Sequence, residues 1–592
     1  MKKINIKNHY VNLTEKLKTT NPRNYYKVIK MLSGDSNFVS CEVEDLRALS
    51  AYEAAEQIAD HFSSISCSYL PVQLDSLPSY LPALPPPQVN EFKVYNKLNK
   101  LKHTRSTFPI DLPFKIRKEF SVFLASPLTD IFNTCLKQNI FPEVWKQEYV
   151  TPTQKVTHPK KISDLRKISL SSEYSKLFEG FLKDWIIEDI SLNLDPSQYG
   201  ARKGTGTEHL VVALVDRILK SLDSGTQKTA VIAASVDWAA AFDRLDPTIT
   251  TTKMVRIGVR PSIVPILVSY MSGRKMIVNF NGAQSRPKNL IGGGPQGTLL
   301  GGLEYIMAND CSIESTDQED RFKYYDDMNL LELVTLCDKL IPYDFINHVA
   351  SDIAIDHMYL PCDKYKMQHN LEEDASNWTK HNLMLLNEKK SAYIIFSRSK
   401  TQFSTRLTLN EVTLERLSVI KVLGIWLQDD LKWNYNTKQI CIKAYSRMNI
   451  LNKLKHVGIC ESDLLTIYKL FIRSICEYCS VVYHTSLTKE LSDKIEAIQS
   501  TALKIILAER YVDYKSSLVY FKMECLSQRR QNHMERFVVK CTKDTFNQSL
   551  FPRNQNERGK DLFQVNFART SQYLNSTIPQ SQRLLNRLAL DK

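Results

Sequence analysis

The stretch Lys323-Tyr324-Tyr325-Asp326-Asp327-Met328-Asn329-Leu330 leaves its backbone few choices. Aromatic residues lead into two adjacent carboxylates, and Leu330, Leu331, Leu333 and Val334 follow. The segment therefore reads as strand, tight turn, strand, with both acids at the tip. Adjacent carboxylates repel and are costly to bury, so a half-buried pair calls for divalent cations. Alone the pattern is weak, because an Asp-Asp turn is more often only polar surface. Upstream, Val231-Ile232-Ala233-Ala234-Ser235-Val236 reads as a buried strand with Asp237 at its C-terminal end. An acid there projects into the crevice beyond the strand ends. The competing use of Asp237 or Asp243 is to cap the helix expected next. Between the two acid sites, Gly292-Gly293-Gly294-Pro295-Gln296-Gly297-Thr298 forms a Gly-rich turn that lets backbone approach a ligand. Gln296 brings both a donor and an acceptor.

In this order the three segments resemble the palm motifs of reverse transcriptases, and the flanking words resemble the non-LTR (LINE-type) retrotransposon branch. Asp237-Trp238-Ala239-Ala240-Ala241-Phe242-Asp243-Arg244 is similar to motif A, Gly294-Pro295-Gln296-Gly297 to motif B and Tyr324-Tyr325-Asp326-Asp327 to motif C. Thr151-Pro152-Thr153-Gln154-Lys155 and Asp164-Leu165-Arg166-Lys167-Ile168-Ser169-Leu170 resemble the two fingers motifs. Asp195-Pro196-Ser197-Gln198-Tyr199-Gly200 resembles the segment before motif A. Leu386-Asn387-Glu388-Lys389-Lys390-Ser391 resembles motif D, and Lys421-Val422-Leu423-Gly424-Ile425-Trp426 motif E. The word from Glu477 to Thr488 resembles one found past the thumb. Lys167 stands where many relatives carry Pro, Tyr483 where many carry Trp, and Thr104 to Pro109 departs from the usual Gly-Pro-rich segment.

The resemblance implies an α+β right-hand polymerase: fingers, a palm with an antiparallel sheet backed by helices, and a helical thumb. The expected boundaries are an N-terminal helical extension and Pro-rich linker over 1–88, fingers and palm over 89–430, thumb over 431–510 and a basic extension over 511–592. It implies RNA-templated DNA synthesis by two-metal nucleotidyl transfer, with Asp237, Asp326 and Asp327 holding two Mg²⁺ ions, for which Mn²⁺ can substitute. Lys155 and Arg166 would grip the triphosphate, and Phe242 would stand against the sugar to favour deoxynucleotides. Gln296, with Gly297 beside it, would contact the incoming nucleotide or template. Lys390, or its neighbour Lys389, is the candidate general acid for the leaving pyrophosphate. Val422, Leu423 and Gly424 would support the primer end. Each has a plainer alternative: solvated surface charges for the cations, a core aromatic for Phe242, a buried strand for 422–424.

Composition agrees. A chain of 592 residues is too long for one compact core. Its net charge of +14 favours a polyanionic partner. Expected partners are an RNA template, a DNA primer or nicked target DNA, and deoxynucleoside triphosphates. No nuclease acid/His set is read in residues 1–90 or after Leu507, so either the reading frame is truncated or a fragment, or the nick is expected from another polypeptide. Twelve cysteines form no disulfide framework. Cys476 and Cys479 have CxxC spacing without a second ligand pair, so buried thiols one turn apart in a helix-like segment are expected rather than zinc. The apolar runs are too short to span a membrane, so an intracellular setting is expected, and the family resemblance implies a nuclear and cytoplasmic one. An amphipathic helix is predicted over Leu46 to Phe62, and a long helix with Ile440, Ala444, Met448, Leu451 and Leu454 on one side. Lys438, Lys443, Arg447, Lys453 and Lys455 are placed on its outer face. The polar stretch from Arg529 onward predicts partial disorder. The alternative function is a decayed element that holds RNA without catalysis.

Overall fold

The computed structural model describes residues 43–65, 67–72, 85–101, 108–156, 158–200, 202–224, 229–311, 318–335, 357–359, 367, 370–398, 402–404, 406–554 and 562–590. The N-terminal segment to residue 42, the proline-rich stretch 73–84 and residues 104–107 lie outside the described residues.

The fold is mixed α and β. Helix α1 (Ala51–Ser64) begins later than the apolar periodicity suggested, because Ser50 and Glu53 close a reciprocal capping box. Ahead of it Glu44–Leu46 is only a 3₁₀ turn. Helices α2 (Glu91–Asn99) and α3 (Ser121–Gln138) follow. Strands β1 (Gln147–Gln154) and β2 (Leu165–Leu170) pair antiparallel, α4 (Glu173–Ile190) and α5 (Thr207–Ser224) come next, and β3 (Thr229–Val236) leads to α6 (Pro247–Ile257). Asp246, not Asp237 or Asp243, caps α6 by accepting from Ile249 N at 2.8 Å. Strand β4 (Arg274–Phe280) runs parallel to β1 and carries the short β5 (Ala283–Gln284) and β6 (Lys288–Leu290), completing a five-stranded sheet. Helix α1 lies on that sheet, packing Ala55, Ile58 and Phe62 against Val150, Met276 and Val278.

A second five-stranded sheet holds β7 (Arg321–Tyr324), β8 (Asp327–Thr335), β9 (Ala392–Ser397) and β10 (Glu415–Leu417) around β3, in the order β10-β9-β3-β8-β7. All its pairings are antiparallel except β9 with β10. Strand β3 is apolar from Ala230 to Ala234 because both its faces are covered. Ala230, Ile232, Ala234 and Val236 enter one core with Met328, Leu330, Tyr393 and Ile395, whereas Val231 and Ala233 enter another with Leu331, Ile394, Phe396 and helix α5. The two-residue alternation of a strand produces that split.

Strands β11 (Val419–Val422) and β12 (Ile425–Gln428) form a hairpin, followed by α7 (Asn434–Val457) and α8 (Lys489–Leu507). Ile440, Ala444, Met448, Leu451 and Leu454 are buried as the periodicity requires. Lys438, Lys443, Arg447 and Lys453 are exposed. Lys455 is not: half-buried, it donates to the Ile506 carbonyl at 2.6 Å. The C-terminal stretch is ordered where it is described, contrary to its polar composition. Helices α9 (Leu526–Cys541) and α10 (Thr577–Leu590) bring Phe537, Val538, Ile578 and Leu585 into the core of α5. Asp223, at the end of α5, fastens them by accepting from Arg569 N and Thr570 N at 2.8 and 2.7 Å. Among the described residues no helix is long and apolar enough to cross a membrane.

Candidate active site

The hairpin carrying the paired acids is a two-residue turn. Tyr324 pairs with Asp327, and Tyr325 takes the left-handed conformation (φ 58°) that lets the chain reverse with Asp326 at its tip. A non-glycine residue there is strained, and segment 195–200 holds it. Lys323 N donates to Ser197 O at 2.9 Å, and Tyr199 N donates to Lys323 O at 2.8 Å. The buried Gln198 side chain accepts at Oε1 from Gly200 N (3.0 Å) and Tyr325 N (3.1 Å). A Cβ on Gly200 would lie 2.6 Å from Tyr325 N, so only glycine permits this approach. Beneath the turn, Lys323 Nζ donates to Asp195 Oδ2 at 2.6 Å and to Ala308 O at 3.1 Å.

Sheet register gathers the rest. Val236 pairs with Met328, so one further step sets Asp237 opposite Asp327. On the other side the ladder ends at Ser235 and Ala392, and the Trp238–Leu386 bridge with the bond from Asn387 N to Asp237 O sets Asn387 opposite Asp237, with Lys390 in the turn that follows. Three adjoining chain segments thus bring Asp327, Asp237 and Lys390 to one edge of one sheet, with Lys390 Nζ 3.7 Å from Asp237 Oδ2. The loop carrying Lys390 also grips Asp237 through Asn387 and Ser391.

The electrostatics are those of crowded carboxylates. Burial raises the pKa of Asp326, the charge of Asp237 raises it further, and Arg166 and Lys390 pull against both. Asp327 is pushed up to about 6 by burial and then by Asp326 and Asp237. Among the described residues no three His, Cys, Asp or Glu side chains already converge on one point. The donor set nevertheless fits divalent cations: all are hard oxygens, each destabilises its neighbours' charge, and directly opposed strand residues have Cβ atoms ~5 Å apart, within reach of a rotamer change.

The cations expected to meet a triphosphate lie nearby. Arg166 is exposed on β2 opposite Thr153, and Lys155 follows β1, donating from Nζ to Ser163 O at 2.9 Å. Lys155 has its pKa lowered by burial and then by Lys390, with Asp243 opposing and Arg166 adding, so these charges share one field. Phe242 is half-buried in a single 3₁₀ turn (Ala241–Arg244) rather than in the helix after it. Its carbonyl accepts from Gly294 N at 2.7 Å. At Gly293 (φ 82°) a Cβ would stand 3.0 Å from Asp243 O. Gln296 O accepts from Ser169 N at 3.0 Å, and Gly297 turns at φ 113°. The Gly-rich loop is therefore wedged between the turn after Asp237 and strand β2. Lys167, the departure from the family pattern, is buried between Glu148 (3.0 Å) and Asp243 (3.7 Å) and ties the same two parts together.

The 422–424 hairpin is a two-residue turn with Leu423 at φ 45° and Gly424 at φ 92°. Tyr478 OH donates to Leu423 O at 2.8 Å, and its ring lies where a Cβ on Gly424 would meet it at 3.1 Å. Tyr478 also reaches the field of Tyr324, linking this hairpin to the acidic one. Cys476 and Cys479 are buried free thiols, as expected, but the helix between them is broken: it ends at Glu477, and Cys479 is left-handed (φ 47°).

Sequence reading gave no role to Gln198, Asn387, Ser391 or the Asp195–Lys323 pair. The Asn-x-x-Lys-Ser spacing after a strand-like Leu-x-Leu is the one local signal that could have flagged Asn387.

Acids and a lysine are thus gathered at one sheet edge, with Lys155 and Arg166 in the same field. No protein-family model matches the chain. It is 25% identical over 448 residues to a probable RNA-directed DNA polymerase from transposon X-element of Drosophila melanogaster, covering 73% of this chain and 46% of that protein. It is 27% identical over 331 residues to the probable RNA-directed DNA polymerase from transposon BS of the same fly (55% and 34%). It is 24% identical over 424 residues to the RNA-directed DNA polymerase from its mobile element jockey (69% and 43%). The chain spans less than half the length of these relatives. Its homologues are thus the polymerase proteins of non-LTR retrotransposons, the branch its motifs resemble.

Proposed function

We propose that this chain is an RNA-templated DNA polymerase of a non-LTR retrotransposon, extending a DNA primer with deoxynucleotides. The observation that carries the reading is the gathering of Asp237 opposite Asp327, beside Asp326, with Lys390 Nζ 3.7 Å from the Asp237 carboxylate. The homologues named above support it. In this reading the β1–β2–β4 sheet forms the fingers, the β3 sheet the palm within 89–430, α7 and α8 the thumb within 431–510, and 511–592 an extension docked on the palm. Segment 1–88 is the N-terminal extension and linker.

Asp237, Asp326 and Asp327 would hold two Mg²⁺ ions, which when bound neutralise charge on the attacking 3′-oxygen and the pyrophosphate. Lys155 and Arg166 bind the triphosphate oxygens as charge-assisted donors. Phe242, fixed through its carbonyl by the Gly-rich loop, presents its ring to the sugar, where a 2′-hydroxyl would clash. Gln296 and Gly297 line the nucleotide from the opposite side. Lys390 donates a proton to the departing pyrophosphate from Nζ. The 422–424 hairpin, buttressed by Tyr478, supports the primer terminus. The exposed cations of α7 follow the phosphate backbone. Template RNA, primer or nicked target DNA and deoxynucleotides are the partners this chemistry requires.

The test is extension of a DNA primer annealed to RNA by the purified chain, with deoxynucleotides or ribonucleotides and with Mg²⁺ or EDTA. Metal-dependent incorporation of deoxynucleotides supports the reading. RNA binding with no extension under any condition replaces it with that of a decayed, RNA-holding element.

A further inference from the structure

We infer that Asn387 is the positioning residue that sets the orientation of Asp237 and keeps its ion pair with Lys390 from closing to hydrogen-bonding contact. This rests on the polymerase reading only for what Asp237 does, not for how it is held. Asp237 is gripped from a segment 150 residues later. Asn387 N donates to Asp237 O at 2.8 Å, and Asp237 N donates to Ser391 Oγ at 3.1 Å. Ser391 Oγ in turn donates to Asn387 O at 2.9 Å. Those bonds fix the backbone. The Asn387 side chain does something separate: Nδ2 donates to Asp237 Oδ2 at 3.0 Å.

That bond selects a rotamer. With Oδ2 engaged by Asn387, Oδ1 is the oxygen presented to a cation. The turn closed by Lys390 N donating to Asn387 O (3.0 Å) brings Lys390 Nζ within 3.7 Å of the same Oδ2. Lys390 is largely exposed, its side chain 66% accessible, so only local contacts restrain its ammonium. Without the amide, that loose 3.7 Å ion pair between Asp237 and Lys390 closes to hydrogen-bonding distance. One change then withdraws both a cation ligand and the proton donor. Partners that orient a metal ligand are typically worth about 10–100-fold in metal affinity or activity.

The experiment is a Mn²⁺ titration of the full chain, reading free ion by electron paramagnetic resonance, alongside Mg²⁺-dependent primer extension. Asn387→Ala is expected to weaken Mn²⁺ binding about tenfold and to raise the Mg²⁺ needed for half-maximal extension similarly. Adding Lys390→Met to Asn387→Ala is expected to restore most of the Mn²⁺ affinity, because no ammonium competes for Asp237. Glu388→Gln, in the same loop but bonded to Asn410, is expected to match wild type. Asn387→Ala within twofold of wild type, or a double variant as weak as the single, overturns the inference. Should Asn387→Ala lose its circular-dichroism spectrum, Asn387→Ser, whose donor is too short to reach Oδ2, carries the same expectation. Loss of fold in both variants overturns the inference in favour of a purely structural role. Wild type that binds Mn²⁺ yet extends nothing refutes the polymerase reading alone, and wild type that binds none refutes both.

Discussion

Neutralising Asp195 tests whether the acidic turn is held from beneath. Its side chain and that of Lys323 are 7% and 2% exposed, and they meet at 2.6 Å. Burial raises the pKa of Asp195, but the Lys323 ammonium and the Ser197 amide more than offset it and leave it below its ordinary 3.8. Asp195→Asn keeps the shape and the bond from Ser197 N, yet strands a buried ammonium with the Ala308 carbonyl. Breaking one partner of such a pair costs about 3–5 kcal/mol, a large share of a typical 5–15 kcal/mol stability. Lys323→Met strands the carboxylate instead and should cost a similar amount. The double variant Asp195→Asn, Lys323→Met leaves no buried charge, so its loss should fall short of the sum by about 1–3 kcal/mol. Urea unfolding followed by circular dichroism measures all four chains. Because the folded pKa is depressed, the pair's contribution is full above 3.8 and is lost as pH falls through the lower folded value. A single-variant loss below ~1 kcal/mol, or strict additivity in the double, refutes the reasoning.

Other consequences follow from the same geometry. Gln198→Ala orphans the amides of Gly200 and Tyr325 and should cost about 2–4 kcal/mol, read by urea unfolding, with extension reduced further than stability alone explains. Asp327→Asn should stabilise the metal-free chain at pH 7.5 by about 1–2 kcal/mol, because a carboxylate with its pKa raised to about 6 destabilises the fold once ionised. Differential scanning calorimetry checks this, and added Mg²⁺ should raise the Tm of wild type more than that of the variant. Gly424→Ala places a Cβ in left-handed backbone 3.1 Å from the Tyr478 ring. It should cost about 1–2 kcal/mol and raise the primer KM in steady-state extension, whereas Tyr478→Phe should raise that KM with little loss of Tm.

What the sequence made legible was local. The 422–424 hairpin was legible only through the family resemblance. The apolar run 231–236 and the strand, turn and strand around 323–334 announce themselves through alternation and turn chemistry, although only Asp326 of the two acids placed at the tip is there, Asp327 already pairing with Tyr324. The buried face of α7 is legible for the same reason. What escaped depends on partners far apart in the chain. Asp195 and Lys323 are separated by 128 residues and Asn387 and Asp237 by 150, and no periodicity relates such positions. The C-terminal helices read as polar because their few apolar residues suffice only against the waiting face of α5. The break at Cys479 was hidden because a left-handed cysteine carries no composition signal, whereas glycine at such a place would have. Lys167 stood out only as a departure from Pro, and its role emerges when Glu148 and Asp243 close around it.

The proposed function places a metal-dependent polymerase centre at one sheet edge. Its most direct test compares wild type with Asp326→Asn in single-turnover primer extension on RNA across a Mg²⁺ titration, with RNA binding measured in parallel. The account predicts metal-dependent extension by wild type and a loss of at least ~10³-fold in the variant, with RNA affinity unchanged. Extension by Asp326→Asn at the wild-type rate would contradict it.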